Sequence, residues 1–171
     1  MRPKLFTIGF AGKSAEQFFA LLTRAGVRTV IDVRENRIGQ LSGYAKFPDI
    51  AFFLERVAGI AYRYEPRLAP TPEIRKRYRE TKDWPGYEKS FLELMRERGF
   101  PGECFLDGGD ALAFLCSEPG AERCHRRLVA ELLAARWREL GEVATIEHLA
   151  LEEPRVLGKK KRRANGGVNP D

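Results

Sequence analysis

Ala111-Leu112-Ala113-Phe114-Leu115-Cys116-Ser117-Glu118-Pro119-Gly120-Ala121-Glu122-Arg123-Cys124-His125-Arg126 decides how this chain reads. An uninterrupted apolar run of strand length stops at Cys116. Helical spacing then takes over from Ala121 to about Leu140, with Gly120 able to cap and Glu122 suited to an early turn. A continuous apolar strand followed by a helix is the signature of a strand covered on both faces. It also puts a thiol and a carboxylate at a strand end, facing a thiol, an imidazole and a guanidinium in the first turns of a helix.

The same alternation recurs upstream. Leu5 to Ile8 is a short strand ending at Gly9. Ser14 with Gln17 forms a capping-box pattern before Ala15, Phe18, Phe19 and Leu22, and Gly26 is the stop. Val27 to Val33 reads as a buried strand. Ile50, Phe53, Leu54 and Val57 repeat the helical spacing up to Gly59, and Ile60 to Tyr64 alternates like a strand. Pro72 to Arg79 and Tyr87 to Arg98 read as helices broken at Asp83-Trp84-Pro85-Gly86. Phe100 to Asp110 is Gly-rich and loop-like, and Val143 to Leu149 is a last strand. The expected fold is a three-layer α/β sandwich: a mostly parallel five-stranded sheet with helices on both faces, Rossmann-like in plan. In such sheets ligands sit beyond the carboxyl ends of the strands. The strand order 3-2-1-4-5 would make the ends at Gly9, Asp32-Val33-Arg34 and Cys116-Ser117-Glu118 converge.

The length of 171 residues suits one domain, expected over 1–157, that buries roughly two-thirds of its unfolded surface. No apolar run approaches the roughly 20 residues of a membrane span, and Met1-Arg2-Pro3-Lys4 lacks a signal-peptide pattern. A cytoplasmic protein is therefore expected, and three cysteines without export signals argue against a disulfide framework. Of the net charge of +6, Lys159, Lys160, Lys161, Arg162 and Arg163 set against Asp171 leave +4 on residues 158–171, and so +2 on residues 1–157. The tail composition predicts disorder and either attraction to phosphate polyanions or simple solubilisation.

Glu118 is a candidate acid/base, and Cys124 and His125 are candidate catalytic or pocket-lining groups. Gly9, Asp32, Arg34, Cys116 and Arg126 are candidates for substrate binding. A guanidinium grips phosphate with two donors, and the early turns of a helix favour an anion. Each has a plainer alternative: packing for the cysteines, capping for His125, ion pairing for Glu118 and the arginines. Cys116, Glu118, Cys124 and His125 are potential metal ligands. However, adjacent Cys124 and His125 project about 100° apart on a helix and the spacing matches no usual Cys-x2-Cys pair, so no metal is expected; no cofactor is expected either. Residues 35–47, with Arg37, Gly39, Gly43, Tyr44 and Lys46, resemble a binding loop. Tyr78, Trp84 and Tyr87 read as core, and His148 as a packed edge residue.

Thr7-Ile8-Gly9, Asp32-Val33-Arg34, Gly59-Ile60-Ala61-Tyr62, Cys116-Ser117-Glu118, Cys124-His125-Arg126 and His148-Leu149 together resemble the domain-of-unknown-function 488 family over about residues 5–150. The resemblance implies a prokaryotic cytosolic α/β domain with its site at these motifs, and leaves the activity open. Phe10 departs from the usual His or Tyr, and Leu68-Ala69-Pro70 from the usual Leu-Gly. The pattern also looks like a rhodanese sulfurtransferase or cysteine phosphatase, but Glu122 stands where the phosphatase arginine belongs and Arg123 falls one position late. The leading expectation is an enzyme, or degraded enzyme, acting on a nucleotide or nucleic-acid-derived substrate. A non-catalytic nucleic-acid-binding or adaptor module is the alternative, and thiol chemistry a third. The residues leave oligomeric state open.

Overall fold

The structure is a computed structural model describing residues 3–39, 42–100 and 111–151. Five parallel strands, β1 (Lys4–Gly9), β2 (Thr29–Asp32), β3 (Ala61–Tyr64), β4 (Ala111–Cys116) and β5 (Thr145–Leu149), form one sheet in the order β3-β2-β4-β1-β5. The helices are α1 (Ala15–Ala25), α2 (Asp49–Phe52, continued by a π turn over Phe53–Val57), α3 (Pro72–Thr81), α4 (Trp84–Glu97) and α5 (His125–Glu139). The α/β sandwich is therefore as expected, but the order 3-2-1-4-5 is corrected. β4 lies between β2 and β1. Its every residue is buried, whereas β1 begins with exposed Lys4, so the most apolar strand takes the centre.

The chain runs along the sheet in one direction from β1 to β3 and returns from β3 to β5. Right-handed crossovers then require the first helices on one face and the later ones on the other. The two cores agree. Phe18 and Leu22 of α1 and Ile50 and Leu54 of α2 pack with Phe6, Ile8, Val30, Ala113 and Leu115. On the opposite face, Phe91 and Met95 of α4 and Leu128, Val129, Leu133 and Trp137 of α5 pack with Leu5, Ile31, Leu112 and Phe114, and α3 joins through Ile74 and Tyr78. β4 thus sends its connection to one face while both its neighbours, β1 and β2, send theirs to the other. A crevice opens at its carboxyl end on this account.

Local signals explain most boundaries. The Ser14–Gln17 capping box forms as expected, and Gly26 closes α1 in the left-handed conformation (φ 71). Asp83 caps α4 through the Gly86 amide, so Trp84-Pro85-Gly86 begins the helix and does not break it. α5 begins four residues later than Ala121, with Cys124 and not Gly120 at its N-cap. The expected loop at 101–110 and the basic tail at 158–171 lie outside the described residues, as does the boundary at 157. No helix among the described residues is long and apolar enough to cross a membrane.

Phe114 is fully buried on the central strand. Phe114→Ala is expected to destabilise the fold by about 3–5 kcal/mol. Urea unfolding measures this, and a loss below about 1 kcal/mol would show that α4 and α5 do not close over β4.

Candidate functional site

The crevice beyond β4 holds a cavity of about 500 Å³. Cys116, Cys124 and His125 form its buried part, Ser117 and Glu118 its edge, and Tyr78 and Tyr87 an aromatic side. Arg34, Arg75, Arg79, Lys82 and Arg123 bring positive charge to its lining, against the carboxylates of Glu35 and Glu118.

The buried cluster is built by one helix start. Cys124 is the N-cap residue with extended backbone (φ −137, ψ 136), and His125 is the first helical residue. The 100° helical step between them therefore does not apply, and the geometric reason for expecting no metal falls away. One ligand atom from each of Cys116, Cys124 and His125 lies within 4.8 Å of the other two. His125 Nε2 lies 3.0 Å from the Val33 carbonyl oxygen, which can only accept, so this nitrogen carries the proton. That leaves Nδ1 turned to Cys116 Sγ at 3.8 Å. The Phe91 ring packs against the imidazole, with centroids 5.6 Å apart.

Electrostatically the two thiols differ. A hydrogen bond from Cys124 is the largest influence on Cys116. Burial opposes its ionisation, while the charge and hydrogen bond of His125 and the Glu118 backbone N–H favour it, and the thiol is held well below the ordinary range. Cys124 is pushed well above that range by its bond to Cys116, by burial and by the Cys116 charge, against the pull of Arg126. Burial lowers His125, but the Cys116 charge and hydrogen bond and the Val33 carbonyl outweigh it and raise the imidazole. Cys116 is thus the more readily ionised of the two thiols, with His125 as its partner. The Tyr87 hydroxyl is held protonated by burial and by the neighbouring sulfurs.

Arg126 and Arg34 are placed differently from expectation. Arg126 is 1% exposed and does not line the cavity. Its Nη1 donates to the Glu118 carbonyl (2.7 Å) and to Cys124 Sγ (3.3 Å), and its Nη2 donates to the carbonyls of Pro119 (3.4 Å) and Gly120 (2.6 Å). It staples the strand-to-helix loop. Arg34 is paired side-on with Asp32 through Nε and Nη2 (2.8 and 2.6 Å), and its Nη1 donates to the Ala45 carbonyl (2.9 Å), so it reaches the cavity with most donors engaged. Asp32 is fully buried and also accepts from the Tyr62 hydroxyl at 2.8 Å. Burial and then the Asp32 charge push the Tyr62 hydroxyl up to about 12, so it remains a donor.

Gly9 is a close-approach position. A Cβ there would overlap the Glu118 carbonyl oxygen and stand 3.0 Å from Arg126 Nη1. Gly9, Asp32 and Arg126 thus shape the site without lining it, whereas Arg34, Cys116, Glu118, Cys124 and His125 line it. Among the described residues of the expected binding loop, Glu35 and Asn36 line the cavity. Arg37 lies against the rings of Phe47 (3.7 Å) and Tyr64 (3.9 Å), and the Tyr44 hydroxyl ties down the carbonyls of Phe10 and Lys13. His148, expected to be packed, is exposed on the edge strand and held by a contact between its Nδ1 and the Thr7 hydroxyl at 2.9 Å.

The sequence predicts α3 as a helix but does not reveal that it lines the cavity. Arg75, Tyr78, Arg79 and Lys82 fall at i, i+3, i+4 and i+7, and this face lines the cavity. No residue of α3 is fully buried, and the periodicity of its basic residues was the available signal. Arg75 pairs with Glu35, while Arg79, Lys82 and Arg123 have no ion-pair partner among the described residues.

A family model, the domain of unknown function DUF488, matches residues 14–133. That is more than half the chain, and the protein belongs to this family. No curated protein and no solved structure matches the chain.

Gly9→Ala is expected to displace the 117–120 loop and cost about 1–3 kcal/mol. Thermal unfolding reports the loss, and amide exchange at Ser117 to Gly120 should quicken. Unchanged exchange would mean that the loop does not rest on β1.

Proposed function

We propose that the protein is an enzyme acting on a phosphate-bearing, nucleotide-class substrate at the carboxyl end of β4. The observation that carries this reading is the meeting, in one cavity, of a cationic helix face, two tyrosine rings and a carboxylate above a buried Cys–Cys–His cluster. Arg79, Lys82 and Arg123 supply the phosphate grip in place of Arg126, whose donors are spent on the loop. Tyr78, half-buried on the cavity wall, offers a ring against which a base can pack, while Tyr87 backs it from the core. Glu118 is exposed at the edge of the cavity, where a carboxylate can exchange a proton with substrate or water. Its backbone carbonyl is held by Arg126, so the loop that carries the side chain is anchored. The bond broken or transferred is one that needs such an acid/base, a glycosidic or phosphoester linkage of the nucleotide.

Titration calorimetry with nucleoside 5′-monophosphates and the corresponding nucleosides tests the binding half. The nucleotides should bind more tightly, and Arg79→Ala or Arg123→Ala should weaken them at least about tenfold without affecting the nucleosides. Equal affinity for both ligand types would overturn the reading. For the catalytic half, Glu118→Gln should lower release of base or phosphate by about 10²–10⁴ while leaving nucleotide affinity within a few-fold. Undiminished release in that variant would remove Glu118 from the chemistry.

A further inference from the structure

We infer that Cys116, Cys124 and His125 form a three-ligand site for a soft divalent cation of the zinc class, with its fourth coordination position open to the cavity. This inference does not depend on the nucleotide reading.

The donor set is two thiols and one imidazole, which suits zinc and leaves one position for water or substrate. Tetrahedral bonds of about 2.3 Å to sulfur and about 2.05 Å to nitrogen put neighbouring donors about 3.5–3.8 Å apart. Cys116 Sγ and His125 Nδ1 already stand 3.8 Å apart, and no pair among the three donors exceeds 4.8 Å. Closing by about 1 Å at most is within the reach of small side-chain rotations about an ion. All three residues line the cavity, so the remaining position faces it, beside Glu118 and Tyr87.

The surrounding hydrogen bonds are those a metal site needs. His125 donates its other ring N–H to the Val33 carbonyl, which fixes the tautomer and aims the free Nδ1 lone pair at the sulfurs. The Glu118 backbone N–H points at Cys116 and an Arg126 N–H at Cys124, so each sulfur has a donor that stabilises a thiolate. The metal bonds form to two thiolates and one neutral imidazole. Two protons pass to solvent, one from Cys124 and one from the Cys116–His125 pair, and no electrons are transferred. An ion bound in this way occupies the lone pairs of both sulfurs, so it and a free Cys116 nucleophile are mutually exclusive states of the cluster.

The experiment uses the full chain kept reduced, stripped with chelator and then titrated with cobalt(II) or zinc. Elemental analysis after buffer exchange should give one ion per chain. Cobalt should produce thiolate-to-cobalt charge transfer and the intense ligand-field bands of a tetrahedral site. Cys116→Ser and Cys124→Ser should each reduce the charge-transfer band and weaken binding by at least tenfold. In the wild type, the zinc-bound form should protect Cys116 and Cys124 from iodoacetamide, with peptide mapping reading each site, so the result survives even if a variant fails to fold. Substoichiometric ion in the folded, reduced chain would overturn the inference, and so would equal alkylation of both cysteines with and without zinc. Metal binding without nucleotide binding would leave this inference standing and remove the proposed function; the reverse result would do the opposite.

Discussion

A guanidinium buried among carbonyls holds this site together. Arg126 enters the structure at the second residue of α5 and turns back onto the carbonyls of Glu118, Pro119 and Gly120 and the sulfur of Cys124. Arginine carries five donors and keeps its charge at any accessible pH, so it can satisfy a turn whose carbonyls have no partner in sheet or helix. Gly9 lets that turn lie against β1, because only a residue without Cβ leaves room for the Glu118 carbonyl. The Cys116–Cys124–His125 cluster, the seat of Glu118 and the start of α5 all follow from this one tie.

The second fixed point is the Asp32–Arg34 pair at the end of β2. It is buried and paired through two hydrogen bonds, and the Tyr62 hydroxyl and Ala45 carbonyl complete it. Breaking a buried pair leaves one charge uncompensated, which is costly, whereas the intact pair adds little net stability. Its consequence is geometric. It anchors the segment after β2 beside Val33, whose carbonyl orients His125. Two arginines that read as anion grips are thus supports, although Arg34 also lines the cavity, and the lining cations without an ion-pair partner among the described residues are Arg79, Lys82 and Arg123.

The sequence disclosed the features set by short-range rules. Ser14, Gln17 and Gly26 bound α1 because caps are local, and the run Ala111 to Leu115 named a doubly covered strand because no polar residue interrupts it. The cavity opens at the end of that strand, where the sequence placed the candidate site. What escaped depends on tertiary context. Two buried strands cannot be ranked by periodicity, so β4 and β1 were exchanged in the expected order. The Ala121 to Arg123 stretch has helical spacing but bends into the loop, because Cys124 adopts extended backbone. That single pair of dihedral angles decides whether Cys124 and His125 can face one point, and composition does not reveal it. The stripe from Arg75 to Lys82 was invisible for a different reason: a basic helix face looks the same whether it meets solvent or a cavity.

The position of β1 in the sheet has a temporal side. The first strand in the chain pairs only with β4 and β5, whose residues begin at 111 and 145. Chains emerge from the ribosome at roughly 5–20 residues per second, so β1 waits about 5 s at the faster rate and about 20 s at the slower with both edges unpaired. β2 and β3 pair with each other meanwhile, but the sheet cannot join until β4 is inserted between β2 and β1. The cluster at Cys116 is consequently among the last parts of the molecule to acquire its shape. Its two thiols, at the end of β4 and at the start of α5, settle against the first strand only once β4 is laid beside it.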